Sequence, residues 1–430
     1  MGREITRRHA ALFEKKVHKN PFAFFKDIWL YGKLPELISF VIWETLHELK
    51  LYPRRSYLAF NPGPVFRLNG EKMGSLEFHH QIAHFFQDLN LCLVGSLHNW
   101  KYIFLHSNGE LYGCLSSNDH DLYKSTDNGK SVVFLHRFPQ PIKSMFISSQ
   151  GTIFVCVKGA IYQSGDNGLT FRKTLTLGSS ESFFRHNNAM TETPQGLLVI
   201  AEYGNVWEGD RWQKLAYLYA SADNGESWEC SDFLIKQGAN KHIHLVKYSR
   251  LLEQLIMADG DNYKRFWVSE GISPSIREVK WKLANRFHFQ MGGYTSGVET
   301  GDKLLLGTDY QGGTNFLVVT DDGKRFSKKI IPDPYRRSPI DNMILRASKR
   351  GAEIWANLPY STAKTKCLLM FSRDGGKRWN KVIEYDRSTH TVWLLNASNN
   401  LTNEDSKLLY ISIENTRSKD RVVYQITDLA

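Results

Sequence analysis

One short turn sequence recurs along this chain at intervals that suit a four-stranded β unit. Its clearest copies are Ser125-Thr126-Asp127-Asn128-Gly129-Lys130-Ser131, Ser164-Gly165-Asp166-Asn167-Gly168-Leu169-Thr170-Phe171 and Ser221-Ala222-Asp223-Asn224-Gly225-Glu226-Ser227-Trp228. Ser372-Arg373-Asp374-Gly375-Gly376-Lys377-Arg378-Trp379 is a fourth. Thr320-Asp321-Asp322-Gly323-Lys324-Arg325-Phe326 is a degraded copy, and Ser269-Glu270-Gly271 stands where another belongs. The chemistry of such a turn is local. The Asp side chain accepts backbone N–H groups, and the Gly takes a positive φ without steric cost. The closing aromatic is expected to tuck beneath the turn into the core of its own unit. Each copy then closes the hairpin between the third and fourth strands of a sheet.

Counted from Asp127, Asp166, Asp223, Asp321 and Asp374, the intervals are 39, 57, 98 and 53 residues, and the longest holds the copy near Ser269. Such spacing predicts an all-β chain of radially repeated four-stranded blades, a β-propeller. Inner-strand candidates begin near Trp100, Ser144, Asn188, His242, Tyr294, Asn342 and Thr391, which gives seven blades, with six as the alternative. The last unit, ending Val422-Val423-Tyr424-Gln425-Ile426, is one strand short. Pro64–Leu68 is the expected closing strand. Residues 1–90 read as a helical N-terminal extension or cap, because Leu37, Ile38, Val41, Ile42, Leu46 and Leu49 recur at helical spacing. Residues 91–430 read as the propeller.

The pattern Ser-x-Asp-x-Gly-x-Thr-Trp resembles the Asp box, or BNR repeat, of the sialidase-like propeller superfamily. That resemblance implies turn carboxylates that are structural and lie on the rim, away from any active site. Sialidases also carry an Arg-Ile-Pro stretch before the first blade, and neither Arg54-Arg55 nor Pro62-Gly63-Pro64 substitutes for it. The run from His242 to Phe266, with His242, His244, Asp259, Gly260 and Asp261, is similar to a blade of uncharacterised BNR proteins and of propeller polysaccharide lyases. The resemblance therefore lies closer to those groups than to true sialidases, and it implies carbohydrate-linked chemistry.

Propeller chemistry gathers at the channel mouth, where inner strands begin. Polar residues are dense there: Arg185, His186 and Asn188 before the third blade, His242 and His244 at the fourth, and Arg336, Arg337, Asp341 and Asn342 at the sixth. Glu202-Tyr203, Asp259 with Asp261, and Asp309-Tyr310 follow second strands. His242 and His244 are two apart, so strand alternation turns both to one side. The leading reading is a lyase acting on a uronate-containing glycan. Arg185 or Arg337 neutralises the carboxylate, and His242, His244 or Tyr203 transfers protons. A hydrolase would draw instead on carboxylates among Glu202, Asp259, Asp261 and Asp309. In either case His186, Asn188, Asp309, Tyr310, Arg336 and Asn342 would bind substrate. A non-catalytic binding or assembly propeller is the third reading. No cofactor is expected; a divalent metal on His242 and His244 is the alternative, and it lacks an assignable third ligand.

Lys plus Arg exceed Asp plus Glu by 55 − 44 = 11, which favours an anionic partner, here an acidic oligosaccharide or polysaccharide. No nucleic-acid motif accompanies the charge, so no nucleic acid is expected. The five cysteines, Cys92, Cys114, Cys156, Cys230 and Cys367, include no CxxC pair and suit free thiols in a reducing compartment. No apolar leader occupies the first 20 residues, so a cytoplasmic location is expected. The amphipathic N-terminal helices and the basic residues around them also suggest peripheral membrane contact.

Overall fold

A computed structural model describes residues 21–30, 34–69, 73–208, 211–239, 241–260, 265–285, 293–310, 313–360, 365–398 and 407–429. Its strands form a β-propeller of seven four-stranded antiparallel blades. Their inner strands are Trp100–Leu105, Ile142–Ile147, Met190–Glu192, Ile243–Ser249, Tyr294–Thr300, Asn342–Ser348 and His390–Leu394, in blades 1 to 7. Burial explains their composition. Second strands such as Ile153–Val157 and Leu198–Ala201 are buried on both faces, and they read as continuous apolar runs rather than as alternating ones. Among the described residues, no helix is long and apolar enough to cross a membrane. All five cysteines are free thiols, and Cys114, Cys156 and Cys367 are buried.

The ring is closed by Leu91–Gly95, not by Pro64–Leu68. Leu91–Gly95 pairs antiparallel with Arg421–Asp428 as the fourth strand of blade 7. Leu91 and Leu93 alternate into the core, and the strand leads straight into blade 1. Phe66–Arg67 adds in parallel to the outer strand of blade 6, Phe66 opposite Ile383. There Phe66 lies under helix α3 (Leu76–Asp88), 6.0 Å from the Phe78 ring and 5.7 Å from that of Phe85. Two further helices, α1 (Pro21–Leu30) and α2 (Leu34–Glu48), precede these elements.

The recurrent turns share one hydrogen-bond pattern. In the first, Ser125 Oγ donates to Asp127 Oδ1, Gly129 N donates to Ser125 Oγ, and Ser131 N donates to Asp127 Oδ1, each at 2.9 Å. The turns at Asp166, Asp223 and Asp374 repeat it. In blade 5 the turn is one residue shorter, and its carboxylate is Asp322, not Asp321: Lys324 N and Arg325 N both donate to Asp322 Oδ1. Hydrogen bonds from Ser131 hold the Asp127 carboxyl down at about 2, and those from Thr170 do the same for Asp166.

These turns also fasten blade to blade. The closing aromatics pack on the preceding blade rather than only within their own: Phe171 lies 5.0 Å from Phe138, Trp228 6.0 Å from Phe154, and Phe326 5.6 Å from Phe266. Each turn glycine presses the same way. A Cβ at Gly168 would fall 2.9 Å from Leu135, at Gly225 2.4 Å from Phe154, and at Gly376 2.5 Å from Leu305. Gly129 meets Tyr410 of blade 7, whose hydroxyl donates to Asn128 O at 2.7 Å, so the same contact joins last blade to first. Gly225 combines this crowding with φ +91°. Gly225→Ala should therefore lower stability by about 2–4 kcal/mol through strain and overpacking. A thermal midpoint equal to that of the parent would contradict the fastening role.

Candidate functional site: the channel mouth

Inner strands start at one face of the ring, and second strands return to it. Loops entering inner strands and loops leaving second strands therefore crowd one mouth, while the Asp turns lie on the opposite face. In blades 1, 2, 4 and 5 the inner-strand pairing skips one residue near its start, between Trp100 and Tyr102, Ile142 and Ser144, Ile243 and Leu245, and Tyr294 and Ser296. A bulge re-aims the extra side chain. In blade 4 that residue is His244, and its ring lies 4.9 Å from that of His242, with the Nε2 atoms 3.0 Å apart.

The hydrogen bonds assign the tautomers. His242 Nδ1 lies 2.6 Å from the Gly204 carbonyl, which only accepts, so this nitrogen carries the proton. With His242 in its neutral form, its Nε2 accepts from His244 Nε2–H. Nδ1 becomes the acceptor nitrogen of His244, and Asp309 Oδ2 stands 3.9 Å from it. Close approach depends on two glycines. A Cβ at Gly260 would fall 2.6 Å from the His242 ring and 2.8 Å from that of His244; one at Gly293 would fall 2.1 Å from Asp259 O.

Tyr203 stacks on His242, with ring centroids 3.9 Å apart. The Arg185 guanidinium sits 5.8 Å from the Tyr203 centroid. Arg185 Nη2 donates to Asp341 Oδ1 at 2.9 Å across the channel, and Nη1 donates to Thr295 O at 3.1 Å. Burial works against its charge, and Asp341, then Tyr203 and Asp309, outweigh burial, so the guanidinium is held above its ordinary value. Asn188 donates to the same Thr295 carbonyl at 2.9 Å, and Asn187 bridges to Asn342 Oδ1 at 2.8 Å. The mouth thus gathers Arg185, Tyr203, His242, His244, Asp309 and Asp341 around one hub, with Asn188 and Asn342 beneath.

Other expected site residues are engaged elsewhere. Glu202 is fully buried and accepts from Ser182 Oγ, Gly178 N and Tyr219 OH; burial raises its carboxyl, and it faces the interior rather than the channel. Asp259 is buried against Arg265. Burial pushes its carboxyl up to about 6 despite that pairing. His186 is held between Met145 N and Ile103 O, and burial pushes it down to about 4, which makes it a neutral structural imidazole. Arg336 and Arg337 are not presented to a ligand: both donate to Glu44 of α2, at 2.6 and 2.7 Å. Tyr310 lies edge-on to Phe40 of α2, 6.1 Å away. Asp261 lies outside the described residues.

Two further mouth residues, Tyr360 and Arg387, escaped the sequence reading. The Arg387 guanidinium lies 4.1 Å over the Tyr360 ring. A signal for Tyr360 existed: a tyrosine stands two residues past the second strand in blades 3, 5 and 6, at Tyr203, Tyr310 and Tyr360. Deeper in the channel, Lys247 Nζ donates to Met190 O and Ser398 O, and burial pushes the amine down to about 7. Among the described residues, no group of three or more His, Cys, Asp or Glu is disposed to hold a metal ion.

No protein-family model matches the chain, and no curated protein matches its sequence. Solved structures do share its fold. Virginiamycin B lyase from Staphylococcus aureus superposes with a TM-score of 0.50 at 11% identity, over 79% of this chain and 99% of that one. A catalytically inactive variant of that lyase with quinupristin gives 0.51 at 12%, over the same shares of each chain. A chain of the mitotic checkpoint complex gives 0.50 at 11%, over 77% and 90%. These are likenesses of β-propeller fold.

Proposed function

We propose that the mouth is the active site of a lyase that cleaves a uronate-containing glycan by β-elimination, and that the chain is a distant relative of the Asp-box propellers through its Ser-x-Asp-x-Gly turns. The observation that carries this reading is the packing of Tyr203, the His242–His244 pair and Arg185 at one point. Arg185 neutralises the uronate carboxylate and so acidifies the C5 proton. Asp309, the more exposed partner of His244, takes that proton and passes it to His244 Nδ1. The C4–O bond then breaks with its electrons on oxygen, C4=C5 forms, and the Tyr203 hydroxyl protonates the leaving oxygen.

The hydrolase alternative loses support from the sealing of Glu202 and from the pairing of Asp259 with Arg265. A binding module is the second reading, favoured by one observation: two arms of Arg185 are already engaged by Asp341 and Thr295. A screen of the full chain against polyuronates tests the proposal. Elimination produces an unsaturated uronate that absorbs in the ultraviolet. Reducing ends without that absorbance would mean hydrolysis, and thermal stabilisation by the glycan without product would mean a binding module.

A further inference from the structure

We propose that helices α1 and α2 dock the propeller on an anionic phospholipid surface. Helix α2 has two faces. At 3.6 residues per turn, Phe40, Trp43, Glu44 and His47 share one side. That side is packed on the propeller: Trp43 lies 4.9 Å from Phe316, Glu44 accepts from Arg336 and Arg337, and His47 Nε2 lies 2.7 Å from Asp333. Ile38, Val41 and Ile42 occupy the opposite side, Leu49 follows just past the helix, and all four stay about half exposed or more, Ile42 at 50%. Helix α1 adds Trp29 at 71% and Leu30 at 67%. A helix already anchored by one face has no structural use for a second apolar face, and large exposed apolar patches mark interaction sites.

Charge decides among occupants. Lys26, Lys50, Arg54 and Arg55 are exposed on or next to these helices, whose sequences also hold the acidic Asp27, Glu36 and Glu48. The 20 residues before α1 carry six basic residues (Arg3, Arg7, Arg8, Lys15, Lys16, Lys19) against Glu4 and Glu14. An apolar face with Trp and Leu beside a basic segment suits the interface of an anionic bilayer. A second copy of the chain would instead bring like charges together. The loop residues that seat α2, among them Tyr310, Thr314, Asp333, Arg336 and Arg337, belong to the mouth, so the channel opens beside the lipid.

The test uses the full chain with vesicles of phosphatidylcholine alone and of phosphatidylcholine with phosphatidylglycerol. The chain is expected to float with the second kind only. Ile42→Glu and Trp29→Glu should each weaken that partitioning about tenfold or more, with circular dichroism unchanged because both positions are exposed. No flotation with anionic vesicles, or flotation indifferent to both substitutions, overturns the proposal. A lipid-free dimer that Ile42→Glu splits would also overturn it, in favour of a second copy on this face.

Discussion

An Arg346→Met chain should unfold about 3–5 kcal/mol more easily than the parent, because it leaves a buried carboxylate without its main partner. Arg346 and Glu353 are fully buried in blade 6, and Arg346 Nε donates to Glu353 Oε2 at 2.9 Å. The group extends outward. Arg346 Nη2 reaches Asp428 of blade 7 at 2.8 Å, and Arg373 Nε reaches Glu353 Oε1 at 2.8 Å while its Nη atoms hold Leu89 O next to the closing strand. The loss should therefore loosen the closure between blades 6 and 7, and denaturant unfolding would read it. Replacing Arg346 and Glu353 together by apolar residues should cost less than Arg346→Met alone. Equal losses would mean that the pairing itself contributes nothing. Acid should act on the same group. Burial alone would raise the Asp428 carboxyl, but Lys349 N, Ser348 and Arg346 more than offset it and hold it below its ordinary value. Its contribution is complete above the unfolded pKa of about 4 and fades as pH falls through the lower folded value.

Tyr203→Phe and His244→Gln should each lower turnover on a cleaved polyuronate by about 10²–10⁴-fold, the usual worth of a positioned proton-transfer group. Tyr203→Phe keeps the stack on His242 and removes only the hydroxyl. Its loss should fall on turnover more than on the Michaelis constant. His244→Gln breaks the bond to His242 Nε2 and removes the acceptor nitrogen beside Asp309. Wild-type turnover in both variants would sink the assignment of the mouth, whatever glycan is used.

Much of the architecture was legible because it is repeated. A turn of Ser, Asp and Gly is local chemistry, so its register could be read from single residues, and all seven inner strands lie where the spacing put them. Closure was harder. Leu91–Gly95 and Pro64–Leu68 are both short, largely apolar runs, and only the packing of Phe66 under α3 decides which strand joins which blade. The histidine pair was legible from strand alternation, although the bulge at His244 was not. What could not be read were long-range partners. Glu44 is 292 residues from Arg336, and nothing in the local sequence of Arg336-Arg337 announces that a distant helix occupies both. Glu202 and Tyr203 are neighbours that face opposite ways, one into the core and one to the mouth; chain position alone cannot separate them.

The glycine contacts on the far face carry one more consequence. There a blade grips its predecessor through a position with no side chain, so that junction offers almost no freedom for substitution. The mouth is held differently, mostly through side chains such as Arg185 on Asp341 and His242 on the Gly204 carbonyl. That holdfast lies on the opposite face of the ring from the mouth, and the mouth loops can exchange residues and lengths over evolutionary time while the ring stays clasped from behind.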